Sequence, residues 1–212
     1  MKKIIFMMAF VFLGESLNVA FGQSGSEVGG TFTAGNGITY KITNLNPNYV
    51  QIGTGVPADA NTSFSGALTI PATVTYDEVE YTVTAVSENA FKSNTGITSV
   101  TIPNSVTSIG YTAFALCNNL LTVTIGDNNV PANLATIETA AFYQCQNLTT
   151  VIIGNNVKTI SYASFLNCNN LATLTLGESV ETIGDWAFTY CGLMGTLTIP
   201  NSVKTIGNYA FE

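Results

Sequence analysis

The 212-residue chain has no histidine and no arginine, and only 9% of its residues are charged. Without histidine it lacks the commonest general base. Without arginine it lacks the usual clamp for carboxylate and phosphate groups. Six lysines against thirteen acidic residues leave no basic cluster for a phosphate backbone or an anionic lipid surface, so neither nucleic acid nor a membrane surface is expected as a partner. Beyond the first residues no apolar run is long enough to span a bilayer. Carboxylates are the one remaining means of acid–base chemistry. Asp77, Glu78 and Glu80 fall in an expected hairpin and Glu178 and Glu181 lie close together, but such groups ordinarily mark solvated turns and edges. The reading is a protein that is not an enzyme, with no catalytic residues and no cofactor.

What is present begins with an export signal. Lys2 and Lys3 precede the apolar run Ile4 to Leu13, which has the length of a signal-peptide core and is short for a membrane span. Ala20 and Gly22 place small residues before a cleavage at Gln23, so residues 1–22 are expected to be a signal peptide. No cysteine lies there for lipid attachment. Removal of this segment leaves four lysines and twelve acids, a net charge of −8. With so little charge, solubility rests on Thr, Ser and Asn.

The dominant feature is periodic. Phenylalanine, preceded by Ala or once by Ser, recurs at positions 91, 114, 142, 165, 188 and 211, at intervals of 23, 28, 23, 23 and 23 residues. A fixed period in this range marks a stack of equivalent units. Three residues after the Phe stand Cys117, Cys145, Cys168 and Cys191; six after it stand Ile97, Leu120, Leu148, Leu171 and Met194. Aliphatic residues nine and eleven after it, such as Val123 with Ile125 and Val151 with Ile153, alternate with outward positions and specify a short strand. Pro103, Gly126, Gly154, Gly177 or Pro200 ends that strand. A second extended segment leads through Val157 to Ile160, and its equivalents, into the next Phe. The five extra residues of the long interval fall between Gly126 and Leu134, where a loop can bulge without disturbing the stack. One coil therefore carries two strands and one Phe corner. A lone coil buries too little to offset its ordering entropy, so stability belongs to the array.

The strings "AFALCNNLLTVTIG", "AFYQCQNLTTVIIG", "SFLNCNNLATLTLG" and "AFTYCGLMGTLTIPNSVKTIG" resemble the BspA-like, treponemal-type leucine-rich repeat over roughly residues 82 to 212. Upstream, "TFTAGNGITYKIT" and "GALTIPATVTYDEVEYTVTAV" look like the β-rich cap that precedes such arrays. The expected organisation is a signal peptide (1–22), a flexible linker (23–30), a β-rich N-terminal cap (31–81) and a leucine-rich repeat solenoid of 23-residue coils (82–212). The fold class is mainly β. Because the last coil ends at Glu212 with apolar Ile206 and Phe211 uncapped, the array is expected to continue in a longer protein. The resemblance implies a bacterial, secreted or cell-surface protein that mediates adhesion or protein–protein interaction, its partner a host or neighbouring-cell surface protein.

Four cysteines in an exported chain invite a disulfide or a metal. Their equal place in successive coils makes the side chains run parallel. Parallel thiols do not surround a tetrahedral ion, and their Cβ directions oppose a bridge, so buried free thiols are expected and no metal site is assigned. Asn119, Asn147 and Asn170 form a second ladder, expected to satisfy backbone groups at the bend.

Two surfaces are candidates for binding. Thr122, Thr124, Thr150, Thr173, Thr175, Thr196 and Thr198 lie at outward positions of the first strand and make a neutral ribbon, although threonine also simply suits an exposed strand. Near the Phe corner stand Tyr111, Tyr143, Tyr162, Trp186, Tyr190 and Tyr209. These aromatics could pack between coils or offer flat faces to protein or glycan. Tyr162, Trp186 and Tyr190 are the candidates taken forward, with carbohydrate binding the alternative function.

Overall fold

The computed structural model describes residues 27–54, 63–127, 135–193 and 196–212. The expected signal peptide, the start of the linker and the tip of the five-residue insertion lie outside them. Fifteen strands and no α-helix occur among the described residues. They are β1 (Thr31–Thr33), β2 (Thr39–Leu45), β3 (Asn48–Ile52), β4 (Gly66–Thr69), β5 (Thr73–Tyr76), β6 (Val79–Val86), β7 (Ile97–Ile102), β8 (Ser108–Ile109), β9 (Thr122–Ile125), β10 (Ala135–Ile137), β11 (Thr150–Ile153), β12 (Val157–Ile160), β13 (Thr173–Thr175), β14 (Thr182–Ile183) and β15 (Thr205–Ile206).

Each coil contributes one strand to each of two sheets. The first strands form a parallel sheet in the order β4, β7, β9, β11, β13, and the second strands continue a sheet that runs β6, β8, β10, β12, β14, β15. Register is strict: Val100 lies beside Val123 and Val123 beside Val151, with Ile102, Ile125 and Ile153 in line. Because the side-chain period of a strand is two, these aliphatics all turn inward and are buried. The chain is a mainly β leucine-rich repeat solenoid.

The expected cap is continuous with the array. β1, β2 and β3 form an antiparallel meander, and β3 pairs in parallel with β6, extending the second sheet. β4 aligns Leu68 with Val100 and is the first rung of the other sheet. Residues 66–86 therefore already form a coil, and the boundary expected at 81/82 falls within β6. Asp77 and Glu78, both at positive φ, make the two-residue turn between β5 and β6. The end of the expected linker is tied down as well: Gly29 N–H donates to the Ile42 carbonyl, and Ile42 N–H to that of Gly30.

The Phe corners hold the stack along one edge. Phe91, Phe114, Phe142, Phe165 and Phe188 are buried, with ring centroids 5.0 to 5.1 Å apart and planes within 3 to 7°. Around them the backbone alternates its bonding. Asn89, Phe91 and Ser93 donate to the carbonyls of Tyr111, Ala113 and Ala115 in the next coil, whereas Ala90, Lys92 and Asn94 donate back within their own coil. That alternation requires left-handed residues two before and two after the Phe. Thr112 and Leu116, Ala140 and Gln144, Ala163 and Asn167, and Trp186 and Tyr190 all have φ between 50° and 63°. Side chains other than Gly adopt this conformation at a cost of about 1 to 2 kcal/mol each, which the coil-to-coil bonds must offset.

Close approach also fixes the turn after the first strand. At Gly126, φ is +66° and an added Cβ would collide with the buried Asn156 side chain. At Gly177 an added Cβ would run into the Gly154 carbonyl oxygen.

Candidate functional site

The thiols are placed by the same register. Cys117, Cys145 and Cys168 are buried, Cys191 is half-buried, and all four are free. Each Sγ–H donates to the carbonyl of the Phe one coil earlier: Cys117 to Phe91 (3.2 Å), Cys145 to Phe114 (3.1 Å), Cys168 to Phe142 and Cys191 to Phe165 (both 3.3 Å). Loss of solvent pushes the Cys117 and Cys168 thiols well above their ordinary range, and their thiol neighbours raise them further. They are weak donors in the core, kept neutral, with little thiolate to react.

The asparagines divide. Asn119 and Asn147 donate to the carbonyls of Thr95 and Asn118, as expected, but Asn170 donates to the Asn147 side chain. The most deeply built one lies in the first corner and was not singled out by sequence. Asn94 is fully buried, accepts from Gly96 and Ile97 N–H, and donates to the Phe64 carbonyl. It ties the array to the coil before it. Its equivalents in later coils are cysteines, so the repeat pattern hides it.

The threonine ribbon is assembled by the first sheet. Thr122 lies beside Ser99 and Thr150, and Thr150 beside Thr173. Thr124 lies beside Thr101 and Ile152, and Ile152 beside Thr175. Thr122, Thr173 and Thr175 are exposed, and Thr124 and Thr150 are half-buried. Thr196 and Thr198 are exposed but belong to no strand. Threonine alone does not distinguish this face, because the second sheet has its own row: Ser108, Thr136, Thr159, Thr182 and Thr205. Charge does distinguish them. On the second sheet Lys158 of β12, and Lys204 just before β15, both reach Glu181 just before β14, at 3.4 and 2.8 Å, and Lys204 holds the Glu181 carboxyl below its ordinary value. Strands β7, β9, β11 and β13 contain no charged residue. Instead Ile152 is 42% exposed near the middle of the ribbon, and Leu121, just before β9 at the ribbon's start, is 46% exposed.

The corner aromatics separate into packed and free. Trp186, at φ 60°, is half-buried and lies against Tyr209 with centroids 4.9 Å apart and planes at 46°. The Tyr209 ring meets it at a tilt, a contact between coils that sequence could not show. Tyr111, Tyr162 and Tyr190 are each more than half exposed, and Tyr143 is half-buried. Tyr111, Tyr143 and Tyr162 come together around one groove of about 320 Å³. Tyr190 and Trp186 do not line it.

The repeat matches the BspA-type leucine-rich repeat region in six copies over residues 84–212. The chain belongs to this family. Its array and cap are similar to a leucine-rich cell surface protein of Faecalibacterium prausnitzii, at 29% identity and a TM-score of 0.61, over 85% of this chain and 51% of that one. The pneumococcal vaccine antigen PcpA is similar at 23% identity and a TM-score of 0.56, over 86% and 47% of the two chains. A leucine-rich repeat protein of Eubacterium ventriosum is similar at 22% and 0.52, over 86% and 49%. The latter two likenesses concern the fold alone. The chain spans about half the length of these three structures. No curated protein matches it in sequence.

Proposed function

We propose that this BspA-type repeat protein is exported, displayed on or released from a bacterial cell, and binds a protein partner of a host or neighbouring cell through its first sheet, without catalysing a reaction. The observation that carries the reading is the charge-free ribbon of Thr122, Thr124, Thr150, Thr173 and Thr175 with Ile152 exposed among them and Leu121 exposed at its start. Interface cores are depleted of charge and place apolar side chains centrally, with hydroxyls free to form hydrogen bonds around them. A face built from one residue per coil is also extended, as stacked repeats present concave or flat binding surfaces. The likeness to a leucine-rich cell surface protein supports the location.

A photo-crosslinking amino acid placed at Thr150 tests this, with the same group at Thr159 on the second sheet as the comparison. The expected result is one cell-surface protein joined from Thr150 and not from Thr159. Equal yields from both positions, or none from Thr150, would count against the ribbon.

A further inference from the structure

Four lysines lie in the described residues, and three are engaged. Lys41 donates to the Thr54 carbonyl at 3.2 Å, and Lys158 and Lys204 share Glu181. Lys92 is exposed, and its ammonium has no ion pair or hydrogen-bond partner among the described residues. It lines the groove formed by Tyr111, Tyr143 and Tyr162.

The groove is a product of register. Tyr111 and Tyr162 occupy the position three before the Phe in coils two apart, so they stand roughly 10 Å from one another, two coil spacings. Tyr143 and Lys92 occupy the position one after the Phe, on the other side. Between them the corner is floored by Ala140 and Ala163, whose small side chains leave room for a flat ring to descend. No carboxylate lines the groove; Glu88 lies in a neighbouring recess beyond Tyr111.

Two features select the ligand. First, most of the groove's backbone N–H groups are already spent. Thr112, Leu116, Ala140 and Ala163 N–H donate to Thr139, Tyr143, Tyr162 and Asp185 in the following coil, and Ala115 and Tyr143 N–H donate back to Thr112 and Ala140. None of the lining residues lies in a strand, so a peptide laid there finds no continuous edge to pair with its own chain, whereas a polyhydroxylated ring needs only flat aromatic faces and phenolic hydroxyls. Second, a groove whose one charge is an unpaired ammonium favours a ligand with a negative group.

We propose that this groove binds a saccharide carrying a carboxylate, with a pyranose ring stacked on Tyr111 or Tyr162 and the acid directed to Lys92. The acid could belong to a sialic or a uronic sugar, which share this chemistry. The site is distinct from the threonine ribbon and does not depend on its role.

The purified protein would be titrated with sialyllactose, with a glucuronic-acid-containing disaccharide and with lactose, binding being read by calorimetry and by saturation-transfer NMR. Binding of at least one acidic sugar, about tenfold tighter than lactose, is expected, and which one binds distinguishes the two sources. Tyr111→Ala and Tyr162→Ala should each weaken it roughly fivefold or more, Lys92→Gln should reduce it to the lactose level, and Tyr190→Ala should leave it unchanged. Melting curves of the variants show whether the fold is retained; Tyr162→Phe, which keeps the ring, serves if an alanine variant unfolds and should retain most of the stacking. No saturable binding of either acidic sugar would overturn the proposal. So would lactose bound as tightly, binding indifferent to the tyrosines and Lys92, or an acidic peptide such as tetraglutamate taking the same residues in place of sugar.

Discussion

The Cys145 thiol donates to the main-chain carbonyl of Phe114 in the preceding coil, 3.1 Å away, and the same bond recurs at every cysteine of the array. A residue type that suggests bridges or metals serves here as a rung of the core, small enough to pack under the phenylalanine stack and able to donate one weak bond to it. Alkylation tests this directly. Under native conditions Cys117, Cys145 and Cys168 should label far more slowly than Cys191, and after denaturation without reductant all four should take the reagent. A mass showing fewer than four labels in the denatured chain would mean a disulfide and refute the rung.

Because burial raises the Cys117 and Cys168 thiols, they stay protonated in the fold at a pH where they ionise in the unfolded chain. The unfolded state then binds fewer protons, so their contribution is complete below the ordinary thiol value of 9.0 and falls as pH rises above it. Urea midpoints measured from pH 7 to pH 10.5 should decline above about pH 9, and the decline should shrink in a Cys117→Ala, Cys168→Ala variant. An identical decline in the variant would locate its cause elsewhere.

Phe142 lies between two parallel neighbours and is fully buried, whereas Phe211 stacks on Phe188 alone and is 37% exposed. Phe142→Ala should destabilise by about 3 to 5 kcal/mol, with Phe211→Ala costing clearly less. Denaturant titration of the two variants makes the comparison, and equal losses would contradict the stack as the main support of the corner.

Gly177→Ala should also be costly, on the order of 1 to 3 kcal/mol, because the new methyl meets the Gly154 carbonyl and forces two coils apart. Gln144→Gly, by contrast, relieves a left-handed side chain and should leave the melting temperature unchanged or raised. A loss at Gln144 larger than that at Gly177 would reverse the assignment of these two turns.

Much of this could be read from sequence because a stack repeats its environment. Once Phe91 and Phe114 are aligned, Val100 and Val123 or Cys117 and Cys145 must be neighbours, and burial follows for every coil. What escaped depends on departures from the repeat or on partners one coil away. Asn94 replaces a cysteine and binds across to Phe64. The left-handed pairs such as Ala163 and Asn167 have no common residue type that would announce them. The merging of the cap with the array arises from pairing between β3 and β6, which no period reveals. Trp186, a candidate for binding or for packing, meets Tyr209 of the next coil in a tilted ring contact. Lys92 is one isolated charge in the sequence, and its place one residue after Phe91, in the row of Tyr143, is the signal that sets it at the groove.

The threonine ribbon is the centre of the functional account, and the most direct measurement is an affinity. A Thr124→Lys, Thr150→Lys variant introduces charge into the ribbon, and Thr159→Lys introduces it into the second sheet. Binding of each to the protein captured through Thr150 would be measured against the wild type, with melting curves confirming the fold. The account predicts a loss of tenfold or more, about 1.4 kcal/mol or greater, for the ribbon variant and no change for Thr159→Lys. Unchanged affinity in the folded ribbon variant, or a loss only on the second sheet, would contradict it.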